Sequence, residues 1–161
     1  METFEISHTY LSFSLNDELF AAHVDKVLNI IEYRKITRIP DAPHYLKGVI
    51  NLRGRVLPVI DMRIKFNMPE IEPTIETSII VVNTQVNKKN IQLGMLVDSV
   101  CEVLEVNPLQ IEPPPGIDKH FKMVCVHGLW RKDDKFIMLL NIDAIFEANE
   151  ILAVENSDSK S

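Results

Sequence analysis

Apolar and polar residues alternate along much of the chain with the two-residue period of half-buried β-strands. In YLSFSL, at positions 10–15, serines separate Leu11, Phe13 and Leu15, a spacing that places all three on one face of a strand. The polar stretch NDE follows, and LFAAHV then returns as a second apolar run. The beginning of the chain therefore predicts a β-hairpin.

The segment between residues 24 and 66 predicts further strands and one short helix. In VDKVLNIIEY we expect a turn at Asp25–Lys26 and then a strand. Two prolines in ITRIPDAP impose extended or turn geometry on the next stretch. GVINLRGRVLPVID, at 48–61, is typical of two apolar strands joined by a tight turn. Its last residue, Asp61, is a suitable N-cap for a short helix over MRIKF.

The order of these features repeats in the second half of the chain. VDKVLNII begins at position 24 and VDSVCEVL at position 97, an offset of 73. IEPPPG stands in the place of RIPDAP, and GLWRKDDKFIMLLNID in that of the glycine-containing hairpin. AIFEANEIL takes the place of the short helix, which matches Asp143 with Asp61. Four resemblances in one order indicate an internal duplication with a longer period than solenoid repeats have.

The duplication predicts a mainly all-β fold. Each half offers about five strands, too few for two open sheets, and closing each set into a barrel removes most exposed edges. We therefore expect two five-stranded β-barrel subdomains with short helices, one of them near the C-terminus. The first barrel is expected at about 10–66, a connector at about 67–77 and the second barrel at about 78–150, with an exchange of strands between the halves allowed. Residues 1–9 form an N-terminal extension and 151–161 a polar tail, which we expect to be disordered.

Composition and charge narrow the classes of function. The 161 residues carry a net charge of −6, which argues against nucleic-acid binding because that needs excess positive charge to replace condensed counterions. METFEISHTY lacks the basic residues of a signal peptide, and no apolar run approaches the roughly 18 residues that span a bilayer. We expect Cys101 and Cys125 to be reduced core thiols of a cytosolic protein.

The residues that could carry chemistry predict no catalytic, metal or cofactor site. Cys125 and His127 would share a strand face with His120 nearby, but zinc ligands commonly come in close pairs such as CxxC, which the chain lacks. A nucleophile elbow, a P-loop and a dinucleotide fingerprint are absent as well. An enzyme with an unrecognised site around Cys125 and His127 is the alternative from a different class.

The hairpin at 48–61 holds the best candidate site. Gly54 supplies the positive φ of a tight turn, and for Arg55 we favour a purely solvated arginine. For Arg53 and Pro58 we favour a docking surface. Proline within a strand marks an edge or a bulge, and an arginine beside apolar residues is typical of interface hot spots.

The segment YLSFSLNDELFAAHVDKVLNIIEYRKITRIPDAPHYLKGVINLRGRVLPVIDMRIKF resembles the first half of the CheW-like family of bacterial chemotaxis coupling proteins. GMLVDSVCEVL, IEPPP and the closing hairpin resemble its second half, so the match covers residues 10–150. The resemblance implies two five-stranded barrels and a non-enzymatic adaptor without a cofactor. Because no kinase, phosphotransfer or receiver region accompanies the match, we expect a stand-alone adaptor.

The partners that the resemblance implies are two. They are the cytoplasmic tip of transmembrane chemoreceptors and the regulatory, CheW-like domain of the histidine kinase CheA, with further copies closing into rings. The implied location is the cytoplasm, at receptor arrays on the inner face of the membrane and without membrane insertion. An adaptor of a chemotaxis-like pathway for surface motility or second-messenger output is the alternative within the same family.

The resemblance also implies partner-binding residues. Arg53, the arginine of NLRG, is expected to act in coupling, and Val27 to contact the receptor. Asn29 stands where the family's V-x-E-I segment has glutamate, which removes a charge and predicts a shift in partner specificity. The remaining matches, expected mainly to shape the hairpin, are Asn51, Gly54 and Pro58.

Overall fold

The computed structural model describes residues 8–113 and 125–146. The predicted tail, His120 and most of the predicted last helix lie outside these residues. Within the described ranges the chain forms eleven strands: β1 Thr9–Leu15, β2 Glu18–His23, β3 Val27–Glu32, β4 Leu46–Leu52, β5 Arg55–Asp61, β6 Ser78–Val86, β7 Lys89–Val97, β8 Ser99–Glu105, β9 Ile111–Glu112, β10 Val126–Lys132 and β11 Lys135–Leu140. The helical segments there are two α-helices, α1 Met62–Lys65 and α2 Ile142–Ile145, and two 3-10 turns, Val24–Lys26 and Pro108–Gln110. None of the described helices has the length and hydropathy that crossing a membrane requires.

The strands form two curled sheets. The first sheet has the order β8-β1-β2-β11-β10-β9, and the second has the order β3-β6-β7-β5-β4. Most neighbours are antiparallel, but β11 runs parallel to β2 and β5 runs parallel to β7. The mainly all-β fold with two β units is confirmed. The first sheet has six strands rather than five because the two-residue strand β9 pairs with β10.

Each sheet combines strands from both halves of the chain. The hairpin β1–β2 lies between β8 and β11 of the second half, and the hairpin β6–β7 lies between β3 and β5 of the first. The repeat is thus visible as two equivalent arrangements that exchange their strands. The predicted barrel limits at 10–66 and 78–150 describe the two halves of the sequence. They stay a prediction, since each sheet contains strands from both halves.

Apolar side chains pack in three clusters. The largest joins the two sheets and includes the predicted strand face of Leu11, Phe13 and Leu15 together with Ile80 of the second sheet. Of the two smaller clusters, one lies around Tyr10 on the other face of the first sheet, and one consists of second-sheet residues. Both faces of strand β1 are therefore covered, which explains why its intervening polar residue Ser12 is also buried.

One ion pair ties α1 to the beginning of β8. Arg63 donates two hydrogen bonds to the carboxylate of Asp98, at 2.7 and 2.6 Å, and a third to the carbonyl of Pro69. Asp98 also accepts the backbone N–H of Asn16 in the β1–β2 turn at 2.8 Å. Burial acts to raise the pKa of Asp98, but the hydrogen bonds from Arg63 and Asn16 outweigh it and hold that pKa below its usual value. This pair connects the two sheets.

A second ion pair makes the equivalent connection from α2. Lys26, at the beginning of β3, lies 2.8 Å from the carboxylate of Asp143. Asp143 also accepts hydrogen bonds from the Thr84 hydroxyl and the Gln85 N–H, both at 2.9 Å. Burial acts to raise the pKa of Asp143, but these hydrogen bonds lower it below its usual value.

The two α-helices begin with equivalent caps. The Asp61 carboxylate accepts two backbone N–H groups of the first turn of α1, at 3.0 and 3.3 Å, which confirms the predicted N-cap. In α2, Asn141 accepts the N–H of Ala144 at 3.2 Å. The match of Asp61 with Asp143 was therefore wrong by two positions. Asn141 occupies the cap position, and Asp143 is the equivalent of Arg63.

Candidate functional site

The turn at the tip of the β4–β5 hairpin holds Arg53 in a left-handed backbone conformation. Arg53 has φ 53° and Gly54 has φ 82°, and the pair Leu52–Arg55 closes the hairpin around them. Gly54 donates its N–H to the side-chain oxygen of Asn51 at 2.8 Å. A Cβ added to Gly54 would meet no atom within 4 Å, so this glycine serves the backbone conformation rather than close packing.

At the first position of four equivalent turns Arg53 is the exception, while at the second position Lys88 of the β6–β7 turn also has a positive φ, 66°. The other three two-residue hairpin turns begin with Asn16, Asn87 and Asp133, at φ 52°, 51° and 56°. Asn and Asp tolerate this conformation, whereas for other side chains it costs about 1–2 kcal/mol. An arginine at this position is therefore not explained by the turn itself. Strain of this kind is concentrated at functional sites.

The hairpin tip borders a groove at the open end of the second sheet, with a volume of about 520 Å³. We call it the arginine groove. Its floor is apolar, because Leu57 and Val81 belong to the smaller core of that sheet. On its rim, Val56 is 74% exposed and Leu28 is 50% exposed. The residues that line it are Leu28, Asn29, Leu52, Arg53, Arg55, Val56, Leu57, Val81, Asn90 and Gln92.

The charge of the arginine groove is entirely positive. Its lining contains Arg53 and Arg55 and no carboxylate. Both arginines are exposed, and neither guanidinium group makes a hydrogen bond or an ion pair with a described residue. The two free guanidinium groups can donate hydrogen bonds in fixed directions. The apolar floor beneath them can exclude water from such bonds.

The structure brings only some of the predicted site residues together. Arg53 and Asn29 line the groove, although Arg53 lies in the β4–β5 turn and Asn29 in the edge strand β3 at the other side of the sheet. Asn51 and Gly54 shape the turn, as expected for them. Val27 lies at the beginning of β3, half-buried against the core between the sheets and outside the groove lining.

Pro58 lies within β5, where the sequence predicted an edge or a bulge. Strand β5 as a whole lies between β4 and β7 and is not an edge strand. Its parallel pairing with β7 includes only Val59 to Asp61, however, so Pro58 stands just where that pairing stops. The missing N–H of the proline is tolerated because β5 has lost its β7 neighbour at this position.

Several lining residues were not found from the sequence. Arg55 was assigned to solvent, and Asn90 and Gln92 carry no motif. The topology places β7 beside β5 and so brings these amides to the groove. The polar residues of β7 could have indicated an exposed strand, but the sequence does not show which strand lies next to β7.

The first sheet has an equivalent groove of about 380 Å³ beside the β10–β11 hairpin. We call it the second groove. At its tip, Asp133 and Asp134 take the place of Arg53 and Gly54. Lys132 forms an ion pair with Glu102 across it. The residues that line it are Ser12, Leu19, Cys101, Glu102, Lys132, Asp133, Asp134, Lys135 and Ile137.

The described residues of the alternative enzyme site make separate contacts. Among the described residues, no group of three His, Cys, Asp or Glu side chains could hold a metal ion. Cys125 is half-buried against the core between the sheets. Nε2 of His127 lies 3.3 Å from the hydroxyl of Tyr10, and burial lowers the pKa of His127. Cys101 is exposed on the edge strand β8, so the expectation of a core thiol was wrong there.

These features define a duplicated all-β module with two equivalent surface grooves of different charge. The CheW-like domain model matches residues 9–150 of the chain. The chemotaxis protein CheW of Bacillus subtilis is 37% identical over 148 residues, which cover 91% of this chain and 88% of that protein. The chain belongs to the CheW-like domain family.

Two further similarities agree with this assignment. The crystal structure of the scaffolding protein TtCheW from Thermoanaerobacter tengcongensis superposes with a TM-score of 0.76 at 31% sequence identity, covering 90% of this chain and 96% of that one. Protein PilI of Pseudomonas aeruginosa is 28% identical over 130 residues, covering 80% of this chain and 70% of PilI.

Proposed function

We propose that this protein is a non-enzymatic adaptor that couples transmembrane chemoreceptors to the histidine kinase CheA. It would act in the cytoplasm, at receptor arrays on the inner face of the membrane. The family assignment and the names of its relatives support a role in chemotaxis and scaffolding. The partners are the cytoplasmic tip of the receptors, the CheW-like domain of CheA and further CheW-like copies.

The observation that carries the proposal is the strained, unpaired arginine at the tip of the β4–β5 hairpin. Arg53 occupies a backbone position that Asn or Asp fills in the three sister turns. Its guanidinium has no described partner, and it borders a groove with an apolar floor. A residue that costs stability and forms no internal bond is best explained by a bond to another molecule.

Two grooves on different sheets suit an adaptor that holds two partners at once. Each contact can be weak, because partners fixed in an array present a high effective concentration to each other. A signal then passes as a coupling free energy, when a change in one partner alters the contacts made by the other. We assign Arg53, Val27 and Asn29 to the surface that contacts partners, with Asn51, Gly54 and Pro58 shaping its hairpin.

The similarity to PilI supports a second candidate, an adaptor in a chemotaxis-like pathway for surface motility or second-messenger output. The CheW protein of Bacillus subtilis, at 37% identity, is more similar to this chain than PilI at 28%, so we place chemotaxis first. Both candidates use the same grooves and differ in the receptor and the kinase that fill them. Co-purification with receptor and kinase fragments from each pathway of the same organism separates them.

The variant Arg53→Asn tests the proposal. Because asparagine suits the left-handed position, the variant should be as stable as the parent chain or more stable. It should nevertheless reduce receptor-dependent kinase activation at least tenfold, as expected for loss of an interface hot spot. The introduction of a negative charge in Arg53→Glu should reduce activation further.

The matched control is Arg38→Asn, which removes an exposed arginine outside the groove lining and should leave activation unchanged. Normal activation by the Arg53→Asn variant would show that Arg53 does not contact a partner. A cooperative unfolding transition at lower temperature would instead assign Arg53 to the hairpin itself.

A further inference from the structure

Within each half of the chain, the described strands pair only as short hairpins. In the first half, which ends with α1, β1 pairs with β2 and β4 pairs with β5. In the second half, β6 pairs with β7, and β10 pairs with β11 and with the two-residue strand β9. Strand β3 pairs only with β6, and β8 only with β1, so both depend on the other half. Isolated two-stranded hairpins are marginally stable in water, and neither half supplies a stable sheet by itself.

The contacts that complete the sheets join one half to the other. The four ladders between the halves are β1–β8, β2–β11, β3–β6 and β5–β7. All three apolar clusters contain buried residues of both halves, for example Tyr10 and Leu139 in one and Val59 and Ile79 in another. Each half is therefore the binding partner that the other half needs in order to fold.

Polar contacts make this recognition specific. Arg63 of the first half pairs with Asp98 of the second, and their side chains are 10% and 20% exposed. The Ser12 hydroxyl donates a hydrogen bond to the carbonyl of Glu102 at 2.8 Å and accepts the N–H of the same residue at 3.0 Å. A half with other charges at these positions would fit poorly, because an unpaired buried charge is costly.

The segment that joins the halves makes no such contacts across them. This connector, at 67–77, contacts α1 and Lys47 of the first half with its first residues. Its last residues bond within 74–78. Residues 71–73 are exposed and form none of the described hydrogen bonds or ion pairs. Opening the chain there leaves every described polar contact between the halves intact.

The connector is also longer than the gap between the halves. Leu96 of β7 pairs both with Asp61, which precedes α1, and with Ile79 of β6. The two halves therefore end and begin about two strand spacings apart, roughly 10 Å, whereas the connector spans roughly 36 Å when extended. A slack connector lets one chain close on itself, and it is also long enough to reach a second molecule.

We propose that the halves of this protein are interchangeable between copies, so that two chains form a strand-exchanged dimer. Each module of this dimer, meaning one pair of sheets, takes β1–β5 from one chain and β6–β11 from the other. Every contact between halves is kept, which makes such an exchange a low-cost route to a dimer. The dimer presents two arginine grooves and two second grooves. The inference rests on the strand topology and does not depend on the proposed receptor coupling.

Concentration decides between closure within one chain and exchange between two. A short flexible linker holds its two ends at an effective concentration in the mM range, so the chain is a monomer when dilute. Exchange competes near that range, or when pairing within one chain is weakened. Because the halves must separate first, exchange takes place during folding, and both forms persist after dilution.

The test gives each chain a defect that only a second chain corrects. In the Arg63→Asp variant two carboxylates meet at position 98, and in the Asp98→Lys variant two cations meet at position 63, which is unfavourable. A strand-exchanged heterodimer has the native pair in one module and the reversed pair in the other. The two variants, unfolded in urea and refolded together at about 0.1 mM, should elute at twice the 18.4 kDa mass of one chain. Each variant refolded alone should give about tenfold less dimer, because its like charges remain together.

The matched control uses an ion pair that lies on one side of the opening. Lys47 and Glu70 both precede residues 71–73. The variants Lys47→Glu and Glu70→Lys, refolded together under the same conditions, gain nothing from exchange. This mixture should stay monomeric, as the parent chain does.

Cleavage of the connector distinguishes exchange from association of outer surfaces. A protease recognition sequence is inserted after Ile71 in all chains. Cutting both connectors of a strand-exchanged dimer leaves two separate modules, so the mass measured by light scattering should fall to that of one chain. A dimer held by its outer surfaces keeps the doubled mass after cleavage.

A second measurement needs no charge reversal and does not depend on the folding of those variants. The chain with the protease site, otherwise of parent sequence, is refolded at about 2 mM and then diluted. It should contain a dimer that survives dilution and is split by cleavage. A sample that contains only monomer would overturn the inference, and so would a dimer that keeps its mass after cleavage. An equal amount of dimer in the Lys47→Glu and Glu70→Lys mixture as in the Arg63→Asp and Asp98→Lys mixture would overturn it as well.

Discussion

The two hairpin–helix units of the molecule, β4–β5–α1 and β10–β11–α2, share a backbone plan but carry different charges. The tip is Arg53-Gly54 in the first unit and Asp133-Asp134 in the second. The residue two places after the helix cap is Arg63, paired with Asp98, in the first unit. In the second it is Asp143, paired with a lysine at the beginning of β3.

This difference shows that the duplication preserved the backbone arrangement of the two units rather than their side chains. An ion pair connects the sheets at both helices, although its polarity is reversed. Inside the molecule each helix residue has an opposite charge at or next to the same repeat position, because Asp98 aligns with Asp25 and Lys26 is the residue after it. At the exposed tips, Arg53 and Asp133 have no ion-pair partner among the described residues, so the two grooves face solvent with different charges. Divergence at the tips therefore gives two grooves of different charge from one repeated structure.

The two ion pairs differ in burial, and we expect the greatest change in the free energy of unfolding from removing the more buried one. The side chains of Arg63 and Asp98 are only 10% and 20% exposed, against 32% for Lys26 and 36% for Asp143. Arg63→Ala leaves a buried carboxylate without its partner and should lower the free energy of unfolding by about 3–5 kcal/mol. Lys26→Ala should lower it by about 1 kcal/mol or less, since the second pair is more solvated. Chemical denaturation of both variants measures the difference.

Losses of equal size in the two variants would contradict this ranking. An Arg63→Lys variant serves as the control, because it keeps the charge but loses the two-pronged hydrogen bonding. Its stability should lie between that of the parent chain and that of Arg63→Ala.

A polarity exchange tests whether the first pair tolerates the arrangement found in the second. Arg63→Asp alone places two carboxylates together and should be severely destabilising. Adding Asp98→Lys restores an attraction and should recover about 0.5–3 kcal/mol, the usual coupling between contacting residues. A double-mutant cycle in urea gives this coupling energy. A double variant no more stable than Arg63→Asp would mean that Asn16 and the Pro69 carbonyl, which suit the original polarity, dominate the site.

At the hairpin turns we expect smaller changes in stability, of opposite sign in the two units. Arg53→Asn should raise the stability by about 1 kcal/mol, whereas Asp133→Arg should lower it by a similar amount. The reason is the same at both positions, a φ of 53° or 56° that favours short polar side chains. Thermal unfolding at neutral pH measures both changes. Shifts of the same sign in the two variants would show that tip charge, rather than backbone conformation, determines the stability of these hairpins.

Much of the architecture could be predicted because local signals and the repeat agreed. The alternation at Leu11, Phe13 and Leu15 defined a buried face, and Asp61 was correctly predicted as a cap. The all-β class followed from the duplicated strand pattern. The assignment of strands to the two sheets could not be predicted, because exchange between halves leaves the local pattern unchanged.

The candidate site was only partly predictable for a related reason. Arg53 stood out because a charged residue at an apolar hairpin tip is unusual. Arg55 did not, since a charged residue beside a turn is usually solvated and the β7 residues that share its groove, Asn90 and Gln92, are distant along the chain.

The smallest expected effect concerns the helix caps. Burial raises the pKa of Asp61 even though backbone N–H groups and Lys47 act to lower it. A pKa that is higher in the folded state than in the unfolded state means that stability is lost as the pH rises from the unfolded value through the folded one. Asp61→Asn keeps the cap, since the two residues are equally good there. At neutral pH it should match or slightly exceed the parent stability.

The reciprocal variant, Asn141→Asp, places the same carboxylate on the exposed cap of α2. There the side chain remains hydrated, so stability at neutral pH should change by less than about 0.5 kcal/mol. Urea denaturation between pH 3.5 and pH 7 distinguishes the caps. The difference in stability between Asp61→Asn and the parent chain should grow as the pH rises from the ordinary aspartate range, about 4. A difference that instead shrinks with rising pH would show that the Asp61 carboxylate is stabilised in the fold by Lys47 more than it is penalised by burial.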